Sequence, residues 1–231
     1  MNDFTNKLVV ITGGSRGIGF ETARQFLAAG ARVVFCARGV DSVNAARSAL
    51  APLGSVDGMA VDLADADATA AWAAEVENRH GAVDILVNNA GYLYKGPYEA
   101  ESAESIQTTL NVNVAGVMLL TRALLPGMLA RGSGVVVNVS SGAGLTGIAE
   151  VSSYCASKFA VVGFTASLAK ETASRGVRVH GLCPGMVATD MQITFSGRKQ
   201  GLAPEKVAET ILALAGPTPP AEPGECMPLF S

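Results

Sequence analysis

Charge is scarce in this chain, and so are the side chains that hold metals. Asp, Glu, Lys and Arg make up only 16% of the 231 residues, and the formal net charge is −3. With no basic footprint, nucleic acid and anionic membrane surfaces are not expected partners. The two histidines, His80 and His180, lie far apart, and no Cys-x-x-Cys pair occurs among the four cysteines, Cys36, Cys155, Cys183 and Cys226. Zinc chemistry has little to stand on, no metal site is expected, and buried free thiols are favoured over disulfides. No apolar run approaches the ~20 residues of a bilayer span, and residues 1–7 lack a signal-peptide core. The expectation is a cytoplasmic protein.

What the chain does have is apolar bulk. Hydrophobic residues make up 49%, enough for a sizeable core, and nothing favours a split, so residues 1–231 read as a single domain. Low charge with abundant Ala, Val and Gly points to surface buried in an oligomer. Apolar, mostly β-branched runs mark strands at residues 7–11, 32–36, 56–61, 84–87, 135–139 and 177–183. Apolar residues recur at helical spacing over 17–30, 42–50, 66–79, 102–131, 152–174 and 204–215. Strands apolar throughout, alternating with helices, predict a doubly wound α/β domain whose parallel sheet is covered on both faces. After Asp190 the pattern loosens, and residues 186–203 read as a variable substrate loop. The Pro-rich tail, 216–231, cannot begin as a helix but ends in a candidate strand at 226–230.

In such sheets ligands bind at the carboxyl ends of the strands. The unusual clusters fall there: Thr12-Gly13, Asp62, Asn88-Asn89, Ser140-Ser141 and Pro184-Gly185. The octet from Thr12 to Gly19 joins the first strand to the first helix, where backbone N–H groups can meet a pyrophosphate. Its spacing, Gly-x-x-x-Gly-x-Gly, departs from the Gly-x-Gly-x-x-Gly dinucleotide fingerprint. Tyr154 and Lys158 stand four apart, on one face of a helix. Free tyrosine ionises near pH ~10, and an adjacent ammonium lowers that value, so the pair is a candidate proton donor.

Taken with Asn88-Asn89-Ala90-Gly91, Ser141 and Pro184-Gly185, these motifs resemble the single-domain short-chain dehydrogenase/reductases. They stand in that family's order and spacing from residue 7 to residue 191. The resemblance implies Tyr154 as proton donor to a carbonyl oxygen, Ser141 as its hydrogen-bond partner, and Lys158 as the group that lowers the Tyr154 pKa and holds the nicotinamide ribose. Asn113 would hold a water in a relay to Lys158, with Asn111 as the competing choice. Gly13, Ser15, Arg16, Gly17, Ile18 and Gly19 would cradle the pyrophosphate, and Asp62 and Leu63 the adenine. Asn88, Asn89, Ala90 and Gly91 would line the cofactor near its ribose, and Pro184, Gly185, Val187 and Thr189 its nicotinamide end.

Cofactor choice follows from charge. The second strand ends Cys36-Ala37-Arg38, so Ala37 stands where the family's NAD users carry Asp, and the next residue is basic. Arg38 with Arg16 favours NADP(H) over NAD(H). Tyr92, Tyr94, Leu145, Glu150, Met186, Met191 and Phe195 are candidate walls of a substrate pocket. The implied activity is NADPH-dependent, reversible reduction of a ketone, with 3-oxoacyl thioesters and small ketones as candidates. The implied assembly is a homotetramer or homodimer through the apolar faces of 102–131 and 152–174. Competing readings are a non-catalytic NADP(H)-binding regulator and an NAD-dependent alcohol dehydrogenase. A serine hydrolase is disfavoured: Ser167-x-x-Lys170 lies deep in a helix, and no Gly-x-Ser-x-Gly elbow occurs.

Overall fold

A computed structural model describes residues 3–230. The first half alternates β1 (Leu8–Thr12), α1 (Gly17–Ala28), β2 (Arg32–Ala37), α2 (Val40–Leu50), β3 (Val56–Ala60), α3 (Ala66–His80) and β4 (Ile85–Asn88). Then come α4 (Ala103–Leu110), α5 (Gly116–Arg131), β5 (Gly134–Val139), α6 (Ser152–Thr172), β6 (Val177–Pro184), α7 (Asp190–Ser196), α8 (Pro204–Ala215) and β7 (Cys226–Leu229). The strands form one seven-stranded sheet in the order β3-β2-β1-β4-β5-β6-β7, every pairing parallel. Successive connections wind outward from β1 in both directions, so the order reverses between β1 and β4 and opens a crevice there.

Alternate side chains of a strand point to opposite faces, so a strand covered on both sides must be apolar at every position. β1 is buried along its whole length. Its Val9 and Ile11 pack with Phe26, Ile211 and Leu214, while Leu8 and Val10 pack with Trp72, Leu120 and Leu124. Burial stabilises by roughly 1.5–3 kcal/mol for each such side chain. Asp65 starts α3, its Oδ1 accepting from the backbone N–H groups of Asp67 and Ala68 at 2.9 and 3.0 Å.

Three features differ from the sequence expectation. Residues 102–131 are not one α-helix, because a π-helical turn, Asn111–Ala115, separates α4 from α5. Such a turn shifts the side chains that follow and is frequent at functional sites. By length and composition the continuous span Ala103–Arg131 is apolar enough to cross a bilayer, where none was expected; 44% of its most apolar window is buried in the protein. Residues 186–203 are more ordered than their pattern suggested. They hold α7, and Leu202 N–H donates to Met186 O at 2.8 Å while Ala188 N–H donates to Leu202 O at 2.8 Å.

Beyond the tail, β7 pairs with β6 in the register Gly181↔Cys226 to Pro184↔Leu229. It is an edge strand, and so tolerates Pro228. All four cysteines are free; Cys36, Cys155 and Cys183 are buried.

Candidate active site

The site begins at the turn between β1 and α1. Gly13 and Gly17 sit at φ +70° and +56°, the left-handed region that favours glycine. At Gly19 the constraint is proximity, since a Cβ there would lie 2.2 Å from Gly13 O and 2.6 Å from Asn89 Nδ2. The turn is tied to the end of β4: Thr12 Oγ1 accepts from the N–H groups of Asn89 and Ala90 at 2.9 and 3.0 Å, and Asn89 Nδ2 donates to Thr12 O at 2.9 Å. No side chain caps α1, which leaves its first N–H groups facing the crevice as an anion site.

A cavity of about 1300 Å³ runs from this turn along the carboxyl ends of the strands. Ordinary small-molecule sites occupy ~300–1,000 Å³, so there is room for a dinucleotide and a second molecule. Gly13, Ser15, Arg16, Gly17 and Ile18 line it at one end, with Arg38, Asp62 and Leu63 beside them. Asn89, Ala90 and Gly91 form its middle, and Pro184, Gly185, Val187 and Thr189 its far wall. Gly19 lies behind the turn, outside the lining. Asn88 also departs from expectation: it is buried in the core, its Nδ2 donating to Thr121 Oγ1 at 3.0 Å and Asn138 Oδ1 at 2.9 Å. Asp62 Oδ1 accepts from Ala64 N–H at 3.0 Å, and capping α3 falls to Asp65 instead.

The two arginines are held differently. Arg16 Nη1 lies 3.3 Å from Asp190 Oδ2, and Lys199 Nζ 3.6 Å from Asp190 Oδ1, so an exposed carboxylate joins the glycine turn to α7. Such exposed pairs are weak and readily exchanged. Arg38 lines the cavity with no hydrogen-bond or ion-pair partner for its side chain among the described residues.

Ser141, Tyr154 and Lys158 meet at the other end. Tyr154 and Lys158 stand on successive turns of α6, 8% and 4% exposed. Burial pushes the Tyr154 phenol up to about 12, opposed by a side-chain hydrogen bond with Ser141. Burial also lowers Lys158 to about 8. Its Nζ donates to Val139 O at 3.0 Å and lies 5.6 Å from the centre of the Tyr154 ring. The expected lowering of the phenol is therefore absent in the chain alone, because desolvation outweighs the Ser141 hydrogen bond. The two serines differ in partner: Ser140 Oγ donates to Lys158 O at 2.9 Å, and the Ser141 side chain hydrogen-bonds with the phenol.

The π-helical turn places the two asparagines differently. Asn113 is wholly buried, its Nδ2 donating to Tyr92 O and Ser157 Oγ at 2.9 Å each and its Oδ1 accepting from Tyr92 N–H at 2.7 Å. Asn111 faces outward, accepting from Gln107 Nε2 at 2.7 Å. Asn113 does not line the cavity but stands behind Gly91, where a Cβ would lie 3.5 Å from Asn113 Oδ1 and 3.8 Å from Lys158 Nζ.

Of the candidate pocket walls, Tyr92, Leu145, Met186, Met191 and Phe195 line the cavity and Tyr94 and Glu150 do not. Tyr94 folds its hydroxyl over Gly96, and Glu150 pairs with Lys95 at 3.6 Å. Sequence reasoning missed Ser42, Gln192 and Phe230, which also line it. Phe230 had one available signal, the strand expected at 226–230.

A crevice at the strand-order reversal, a glycine cradle and a buried Tyr–Lys–Ser group define a nucleotide-dependent α/β oxidoreductase. Residues 7–200 match the short chain dehydrogenase family. The 3-oxoacyl-(acyl-carrier-protein) reductase of Synechocystis is 35% identical over 227 residues, covering 93% of this chain and 91% of that protein. Among solved structures, actinorhodin polyketide ketoreductase with NADPH superposes with a TM-score of 0.92 at 31% identity, covering 100% of this chain and 98% of that one. L-Sorbose reductase from Gluconobacter frateurii, complexed with NADPH and L-sorbose, gives 0.91 at 27% identity, covering 100% and 97%. The chain belongs to the short-chain dehydrogenase/reductase family and is an NAD(P)-dependent oxidoreductase.

Proposed function

We propose that this enzyme reduces a ketone to an alcohol with NADPH, reversibly. The observation that carries the reading is the single cavity, with Ser141, Tyr154 and Lys158 at one end and Arg38 unpaired at the other. NADPH, when bound, supplies the hydride. Tyr154 then gives its proton to the carbonyl oxygen, and Ser141 hydrogen-bonds that oxygen and fixes its orientation. Burial keeps the phenol protonated before the reaction, and donation then depends on stabilising the phenolate as it forms. Lys158 holds the nicotinamide ribose, and its ammonium steadies the phenolate that donation leaves. Asn113 is assigned to a proton relay toward Lys158; its burial behind Gly91 supports that role.

Gly13, Ser15, Arg16, Gly17, Ile18 and Gly19 form the pyrophosphate cradle, with Asp62 and Leu63 at the adenine. Asn89, Ala90 and Gly91 lie at the ribose, and Pro184, Gly185, Val187 and Thr189 at the carboxamide. The fit rests on this chain's own geometry: Gly13 and Gly17 hold left-handed φ of +70° and +56°, and a Cβ at Gly13, 3.0 Å from Ala90 Cα, would push the turn off the end of β4. Preference for NADP(H) over NAD(H) rests on Arg38 and on the absence of a carboxylate at Ala37. The names of the relatives support ketone substrates and NADP(H). Exposed Leu110, Met118 and Phe159, on α4, α5 and α6, support a homodimer or homotetramer, and the free thiols a reducing, cytoplasmic setting.

The test is nicotinamide absorbance with purified protein, both cofactors and a panel of ketones and alcohols. Oxidation of NADPH by ketones, faster than that of NADH, is expected. No turnover on any ketone, or a clear NADH preference, would overturn the corresponding half of the reading.

A further inference from the structure

Phe230 is a large apolar side chain left 59% exposed, yet it lines the catalytic cavity. Strand pairing puts it there: Pro184 is in register with Leu229, and Gly185 N–H donates to Leu229 O at 2.9 Å, so the next residue emerges beside Gly185. Two glycines seat its ring. A Cβ on Gly142 would lie 3.3 Å from Phe230 Cε1, and one on Gly185 3.0 Å from Cδ1. Any side chain at either position would press on the ring. Gly142 directly follows Ser141, so the ring stands one residue from the hydroxyl that contacts Tyr154.

Other walls of the cavity are also apolar and open. Leu145, Ile148, Met186 and Met191 line the same space and are 41%, 37%, 50% and 36% exposed. Charge is concentrated elsewhere. Arg16 and Lys199 are paired with Asp190 beside the glycine turn. At the catalytic end Lys158 is the ammonium, and it is committed to Val139 O. Leu145, Ile148, Met186 and Phe230 together present exposed carbon surface to the cavity, so apolar area is what a substrate body there can exchange for lost water. A polyhydroxylated body would leave hydroxyls unpaired against that surface.

We propose that Phe230 is a specificity-determining residue, and that the enzyme takes ketones with a bulky, uncharged apolar substituent that packs against Phe230 and the Leu145 and Met186 side chains. This rests on the ketone-reductase reading above. It separates a substrate of aryl or alkyl ketone character from a ketose.

The test compares wild type, Phe230→Ala and Phe230→Leu with NADPH on 1-tetralone, acetoin and L-sorbose, and measures NADPH affinity by fluorescence titration. Wild type should prefer 1-tetralone to L-sorbose. Phe230→Ala should lose about tenfold or more in kcat/KM for 1-tetralone, mostly through KM, with acetoin changed less than about twofold. NADPH affinity should hold, and Phe230→Leu should recover part of the loss. Equal losses on all ketones, unchanged tetralone kinetics in Phe230→Ala, or a wild-type preference for L-sorbose would overturn the assignment while leaving the ketone-reductase reading intact. If wild type binds NADPH and reduces none of these three, this assignment fails; the ketone-reductase reading falls only if the full ketone panel also gives no turnover.

Discussion

The two ends of the cavity are built on opposite principles. At the glycine turn the surface is backbone, with charged side chains standing exposed around it. At the catalytic end the polar groups are buried and few, and the exposed surface is apolar side chain. The first end gains its fit from what is absent, a Cβ at Gly13 or Gly19. The second works by desolvation, which holds Tyr154 protonated and pulls Lys158 down. A nucleotide end made of backbone can be read from letters. A substrate end made of side chains from separate loops is read only once the fold has joined them.

The largest effect that would sharpen this contrast is Gly19→Ala. Its Cβ would stand 2.2 Å from Gly13 O, so the backbone itself must move. A loss of about 3 kcal/mol in chemical denaturation is expected, with nucleotide affinity at least about tenfold weaker by fluorescence titration. Affinity and stability both unchanged would mean the turn is not a tight backbone cradle.

Next in size is the pH dependence of stability at the buried end. Lys158 has a folded pKa of about 8 against an ordinary 10.5, so the unfolded chain binds more protons in that window. Its contribution to stability therefore rises as pH climbs from 8 and falls away as pH drops through 8. Tyr154, raised from 10 to about 12, has the opposite sign: its contribution is complete below pH 10 and is lost as pH rises to 12. Denaturation of the nucleotide-free protein should show stability increasing from pH ~8 to ~10, on the order of 2 kcal/mol, then declining. Lys158→Met should flatten the rising limb. A wild-type profile already flat there would contradict the buried ammonium.

The smallest expected change is at Arg38. Arg38→Ala should weaken NADPH about fivefold to tenfold, by roughly 1 kcal/mol, while leaving NADH nearly unchanged, because an exposed cation contributes modestly to binding a phosphate. Equal loss for both cofactors would move the residue from charge selection to general packing.

Period and punctuation made most of the fold legible. Strands such as Leu8–Thr12 are apolar throughout because both faces of the sheet are covered, and their number and spacing announce the doubly wound order. The π-helical turn was hidden because Asn111 to Ala115 reads as ordinary helix; only its geometry turns Asn113 inward and Asn111 out. α7 was hidden by its short length between two glycine-containing turns. Asn88 and Asn89 are adjacent letters of one motif, yet one is clamped in the core by Thr121 and Asn138 while the other holds the turn. For Phe230 the strand at 226–230 was legible, but not what it would lie beside. Its place depends on the register of β7 against β6, a long-range pairing that no local pattern encodes.

The central claim is that the buried Tyr154 phenol is the proton donor, and one substitution bears on it directly. Phe keeps the ring and removes only the hydroxyl. NADPH-dependent ketone reduction by Tyr154→Phe should fall about 10²–10⁴-fold while NADPH affinity stays within about twofold of wild type. Turnover retained at the wild-type rate, with nucleotide bound as tightly, would contradict the account.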